Sequence, residues 1–372
     1  MPDNEFLKEE TAEENSFDTE TLLEKGEENF PEPKQEEHED EIKHTYVTYI
    51  PYGFTPEEYE EHLAVKKASR AAGTTFLVMD AVIVILNLLL AFGFAAIEKA
   101  FSLQNRLLSD PAVLQAVQIF LSVIVFTLPF GIVYKLFGYR ISDLIEFKKP
   151  KKNTILPMFL FGVAFCAFAN IATSMAGSFF KNFGVDYEVA RPENPEGVFG
   201  FILSMLATVA VPSLVEEFAC RGIVLGSLRK FGDGFAIIIS AILFGLMHGN
   251  FEQIPFAFLV GLALGFVTIQ SGSIWIAVAI HAFNNSVSVV FDYFFRGISV
   301  SAQNIIYTVF LCVSLLLGLV ALFFVKDEAV YKFTLREETK LSEKEKYKAF
   351  FKTAVIIIFI VLSVLSSLQY FV

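Results

Sequence analysis

Three short runs carry acid, base and amide groups among otherwise apolar side chains. "VPSLVEEFACRGIV" holds Glu216, Glu217 and Arg221, "FGLMHGN" holds Phe244 and His248, and "IAVAIHAFNNSV" holds His281 and Asn285. On a helix of 3.6 residues per turn, Glu217 and Arg221 share a face, while Glu216 points about 100° away. The pair can neutralise itself, which offsets part of the cost of a charge in an apolar helix. Glu216 has no such local partner. An unpaired carboxyl group in a low-dielectric site can exchange a proton near neutral pH, the work of a general base or acid. His281 and Asn285, four residues apart, form one polar stripe. Phe244 precedes His248 by the same interval, so its ring can wall, desolvate and orient the imidazole. The other histidines, His38, His44 and His62, lie in a polar amino-terminal region.

The elements that position these groups follow from composition. With 54% hydrophobic residues, 42 Phe and a mean hydropathy of +0.53, the chain exceeds what a soluble domain of its length shows, and it reads as a membrane protein. Runs of roughly 17 or more mostly apolar residues recur, each about long enough to cross ~30 Å of hydrocarbon as a helix. Nine candidate spans result, at about 74–97, 113–137, 154–180, 199–228, 235–247, 255–270, 274–291, 305–325 and 353–371. The fifth and sixth are short. The expected fold is therefore all-α: a polytopic membrane helix bundle of eight to nine transmembrane helices.

Loop charge tests that count, because Lys and Arg concentrate on the cytoplasmic side. With the amino terminus inside, the cytoplasmic flanks hold 19 Lys and Arg and the outer loops five (Lys99, Arg106, Lys181, Arg191 and Arg296). Nine spans with the amino end in the cytoplasm are expected. On that topology, at ~1.5 Å per residue, Glu216 lies ~20 Å, His248 ~21 Å, His281 ~12 Å and Asn285 ~18 Å from the cytoplasmic ends of their helices. All four can reach the middle of the bilayer.

Residues 1–54 read as an acidic, disordered cytoplasmic tail, for the first 43 hold 17 acidic residues and four lysines. The tail has no apolar core of its own, so the first span is expected to direct insertion. Thr55, Pro56 and Glu58 form a capping-box pattern that predicts a juxtamembrane helix over 55–72, ahead of a transmembrane domain over 73–372. Cys166, Cys220 and Cys312 fall inside spans without paired spacing, against disulfides and a cysteine zinc site. No GxxxxGK[ST], HExxH or GxSxG motif is present, and no internal repeat of the kind that builds many transporters.

EExxxR (Glu216, Glu217, Arg221), FxxxH (Phe244, His248) and HxxxN (His281, Asn285), in that order on consecutive membrane helices, resemble the CAAX-protease and bacteriocin-processing family of intramembrane proteases, which includes the type II CAAX prenyl endopeptidase. The resemblance covers about 199–291, the expected protease core. It implies a conical polar cavity within the membrane, reached from the cytoplasm and laterally from lipid. It further implies that Glu216 activates water with His248 as its partner, that His281 and Asn285 stabilise the oxyanion, and that Glu217, Arg221 and Phe244 support the site. Glu216, His248 and His281 could ligate zinc with water in the fourth position, and the same atoms suffice without metal. The partners implied are a membrane-associated protein or peptide substrate and the lipid bilayer, with no nucleic acid; the location is the plasma membrane of a bacterium.

Blander readings stand beside this one. Any single membrane His or Asn can be an interhelical hydrogen bond, and Asp80, Asn87, Gln118 and Asn170 read as helix contacts or cavity lining. "GLALGFVTIQSGS" reads as close helix packing. A proton-coupled transporter using Glu216 and the histidines as a relay, or an inactive protease-like scaffold, are the competing functions.

Overall fold

The computed structural model describes residues 50–101, 106–145, 147–150, 152–184, 193–324 and 339–370. Of the acidic tail expected over 1–54, residues 1–49 lie outside them. The described residues are mostly helical and hold no strand: α1 Pro56–Phe101, α2 Pro111–Leu136, α3 Lys152–Asn182, α4 Gly197–Phe231, α5 Asp233–Leu246, α6 Gln253–Ser271, α7 Ile274–Phe295, α8 Val300–Phe324, α9 Glu343–Phe351 and α10 Ala354–Leu368. One-turn helices at Arg106–Ser109 and Ile141–Leu144 lie in the connections. Among the described residues, seven helices are long and apolar enough to cross a membrane, or eight if α9 and α10, bent by 72°, form one span. The chain is an integral membrane protein with an all-α polytopic fold. The expected fifth span is α5, a helix of only 14 residues, about 21 Å long.

The reciprocal cap at the start of α1 forms: Thr55 N–H donates to Glu58 Oε2 (2.8 Å) and Glu58 N–H to Thr55 Oγ1 (3.3 Å). The juxtamembrane helix is not a separate element, because α1 continues unbroken to Phe101. Apolar side chains such as Phe92, Leu136 and Val198 are exposed; in water such a surface would drive association, and here it is a lipid-facing coat.

Polar contacts knit each end of the bundle. At the end where α1 begins and α4 finishes, Lys346 Nζ donates to Phe231 O (2.8 Å), Ser69 Oγ donates to Phe350 O (2.6 Å), and Glu61 Oε2 accepts from the backbone N–H of Lys340 (2.6 Å) and Leu341 (3.1 Å). At the other end, Gln115 Nε2 donates to Asn194 Oδ1 and Ser204 Oγ (both 2.8 Å), Asn194 Nδ2 donates to Asp292 (2.7 Å), and Tyr293 OH donates to Pro195 O.

α3 is the central post, with α6, α7 and α8 packed on it. Two glycines let its neighbours approach. A side chain on Gly318 of α8 would stand 2.2 Å from Ala164 Cβ, and one on Gly162 of α3 would stand 2.3 Å from Ile280 Cδ1. Ile280 is fully buried and immediately precedes His281, so this contact sets how deeply α7 seats. Gly162→Val is expected to destabilise by about 1–3 kcal/mol through overpacking, read as a lowered melting temperature in detergent. An unchanged melting temperature would refute the close approach.

Candidate active site

α4 is where chemistry meets local backbone. Its α-helical segment Val211–Glu217 is flanked by π-helical segments, Met205–Ala210 and Phe218–Val224; such wide turns concentrate at functional sites. Pro212 has no N–H to offer the carbonyl four residues earlier, that of Thr208. Asn285 Nδ2 of α7 donates to that oxygen at 3.1 Å. Asn284 Nδ2 in turn donates to Asn285 Oδ1 at 3.3 Å.

Glu217 and Arg221 pair as expected, with Arg221 Nη1 3.0 Å from Glu217 Oε1 and both side chains wholly buried. The same Oε1 accepts from His281 Nδ1 at 2.9 Å, so the pair is a triad. Arg221 Nη2 donates to Gly261 O of α6 at 3.3 Å, and Gly261 leaves room for the guanidinium. The Arg221 guanidinium also lies 4.1 Å from the Phe244 ring centroid, a desolvated cation–π contact. The Phe244 ring meets His248 and His281 edge to face, at 5.2 and 6.0 Å between centroids. Phe244 thus touches three of the polar residues at once.

His248 lies in the turn between α5 and α6. Its Nδ1–H donates to Phe244 O at 2.8 Å, which leaves Nε2 as the basic nitrogen of a neutral ring. Asn250 clamps the turn: its Nδ2 donates to His248 O (3.0 Å) and to Gln253 Oε1 (3.0 Å), and its Oδ1 accepts from Gln253 N–H (2.9 Å). Gly249 (φ 60°) supplies the left-handed residue that the turn requires. Gly272 (φ 63°) ends α6 in the same way, and Ser273 Oγ caps α7 by accepting from Trp275 N–H at 3.4 Å. That tight turn fixes the register of His281 and Asn285.

Glu216 is half-buried and, among the described residues, makes no hydrogen bond or ion pair. It lies within electrostatic reach of Glu217, Arg221 and His281, and His248 within reach of His281 and Arg221. No hydrogen bond joins Glu216 to His248 among the described residues. Nor do any three His, Cys, Asp or Glu side chains there form a set that could hold a metal ion.

A cavity of about 1880 Å³ opens beside this cluster. Asn285, Thr208, Asn284, Gln253 and Asn170 line it; Glu216, His248 and His281 are not among its lining residues. It adjoins them through Asn285, one turn beyond His281, and through Gln253, bonded to the Asn250 clamp. Gln118 and Asn170 line the cavity, whereas Asn87 Nδ2 donates to Ile83 O of its own helix. Thr208, Gly261 and Asn250 are positioning residues that the motifs did not include. The signals for them were Pro212, the small residues of α6 and an Asn three residues before Gln253. Ser213, one turn before Glu217, holds a buried hydroxyl without a partner among the described residues.

Removing Arg221 alone strands a buried carboxylate. Arg221→Met is expected to destabilise by about 3–5 kcal/mol, and Glu217→Gln in the same chain to restore much of that loss; melting in detergent measures both. Equal stability of Arg221→Met and the parent would disprove the pairing.

Residues 198–287 match the model for "Type II CAAX prenyl endopeptidase Rce1-like" proteins, a segment that contains every residue of the three motifs. A relative named "Putative membrane peptidase YdiL", from Bacillus subtilis (strain 168), is 26% identical over 146 residues, or 38% of this chain and 59% of the relative. The chain thus spans about three fifths of that curated protein's length. No solved structure matches the chain. Over residues 198–287, which hold the three motifs, this chain is thus similar to the Rce1-like CAAX-protease family.

Proposed function

We propose that the protein is an intramembrane endopeptidase that hydrolyses peptide bonds of membrane-associated proteins or peptides. The observation that carries the reading is the asymmetry of the two adjacent glutamates: Glu217 is wholly buried and held by Arg221 and His281, while Glu216, half-buried beside them, is uncommitted. Glu216 takes a proton from water as the water oxygen bonds to the peptide carbonyl carbon. The C–N bond then breaks, and the proton leaves with the amine. His248, with Nε2 unprotonated, assists in moving that proton. His281, its Nδ1 fixed on Glu217, presents Nε2 as a donor once protonated. Together with the second N–H of Asn285 it stabilises the oxyanion. The location proposed is the plasma membrane of a bacterium, with the amino terminus in the cytoplasm.

Glu216→Gln is expected to abolish hydrolysis of a fluorogenic peptide library, prenylated members included, by purified protein in lipid, with the parent's melting temperature retained. A zinc chelator forms the second arm: activity that survives it assigns the hydrolysis to these side chains. Full activity of Glu216→Gln would refute the mechanism, and no hydrolysis by the parent would remove the protease reading.

A further inference from the structure

The family resemblance implies entry from the cytoplasm, and the cavity's position within the bundle points the other way. The cavity wall is built from one set of helix ends: Pro111 at the start of α2, Ser178 near the end of α3, Glu196 just before α4 and Asp292 near the end of α7. Arg229 and Lys230 lie at the far end of α4, about 45–50 Å from Glu196 along the helix. Between the charged cluster and that basic end the interior is filled. Ile223, Val224, Leu225, Leu228, Phe231 and Phe235 are each 0–2% exposed. The α5–α6 hairpin closes the same side. Both of its ends face the basic end, and the start of α6 beside its tip lines the cavity through Glu252, Gln253 and Phe256.

The basic loops mark the cytoplasm, 19 Lys and Arg against five. We infer that the site is reached from the extracytoplasmic face, and that the substrate is a polypeptide segment exposed on that face, such as a stretch of an exported or membrane-anchored protein next to its anchor, rather than a cytoplasmic tail. The inference rests on the peptidase reading for what the cavity receives, and on side-chain packing and loop charge for where it opens. The cavity wall carries five carboxylates against two cations, with Asp292 already paired to Arg296 at 2.7 Å. A neutral or basic segment therefore enters with less repulsion than an acidic one.

The test is thiol accessibility in the full chain, with Cys166, Cys220 and Cys312 replaced by alanine. Ser288→Cys and, as an independent second variant, Ser174→Cys place a thiol on exposed cavity-lining positions; Lys344→Cys places one on the exposed surface of the basic end. Intact spheroplasts of the expression host are treated with a membrane-impermeant maleimide, before and after permeabilisation. The cavity thiols are expected to be labelled fully on intact spheroplasts, and Lys344→Cys only after permeabilisation. If either cavity thiol gains its label only on permeabilisation, or if Lys344→Cys is labelled equally well on intact spheroplasts, the inference falls. Labelling needs no hydrolysis, so its failure is separate from that of the Glu216→Gln experiment.

Discussion

A single carboxylate oxygen, Oε1 of Glu217, organises the centre of this protein. It accepts from Arg221 and from His281 with no access to solvent. A lone carboxylate there would be far too costly to bury, so the surrounding helices are constrained to bring it both donors. Arg221 then needs its own partners and finds the Gly261 carbonyl and the face of Phe244. His281 is thereby fixed in tautomer and direction, and Phe244, wedged against Arg221, supports His248 on its edge. Four helices, α4 to α7, converge because one charge has to be satisfied.

The same constraint divides labour between neighbouring glutamates. Neighbours on a helix point about 100° apart, so the two carboxyl groups enter different surroundings. Glu217 commits Oε1 to Arg221 and His281, whereas Glu216 makes no hydrogen bond or ion pair among the described residues. The imidazoles are held through Nδ1 in both cases, one on a side-chain carboxylate and one on a backbone carbonyl, which leaves both Nε2 atoms outside those bonds. The π-helical turns around the two glutamates re-aim α4 locally, and Pro212 frees the carbonyl on which Asn285 is oriented.

Much of this was legible in the sequence, because bilayer thickness forces apolar runs of a set length and the polar exceptions inside them stand out. All nine expected spans fall on helices, of which, among the described residues, seven, or eight with the bent α9–α10 pair, are long and apolar enough to cross a membrane, and α5 is not. The Glu217–Arg221 pair follows from spacing alone, as does the edge of Phe244 against His248. What spacing could not show was anything decided between helices. That His281 joins the ion pair depends on how α7 seats against α3 at Gly162, and the Gly261 carbonyl matters only because Arg221 arrives beside it. The Asn250 clamp is a turn feature with no hydrophobic period. α9 and α10 both pack on α1, far away in sequence, and α5 ends after 14 residues at the turn that carries Gly249 (φ 60°).

The placement of Glu217 and Arg221 on one helix, rather than on two, bears on how the chain is made. α4 leaves the ribosome before α5, α6 and α7 exist, and it must enter lipid without Gly261, Phe244 or His281. An acid and a base four residues apart can neutralise each other within the nascent helix, so α4 carries its own counter-ion through the insertion machinery. Had the two been divided between helices, each segment would have met the lipid as an isolated ion, and assembly of the site would have depended on the order in which the helices were delivered.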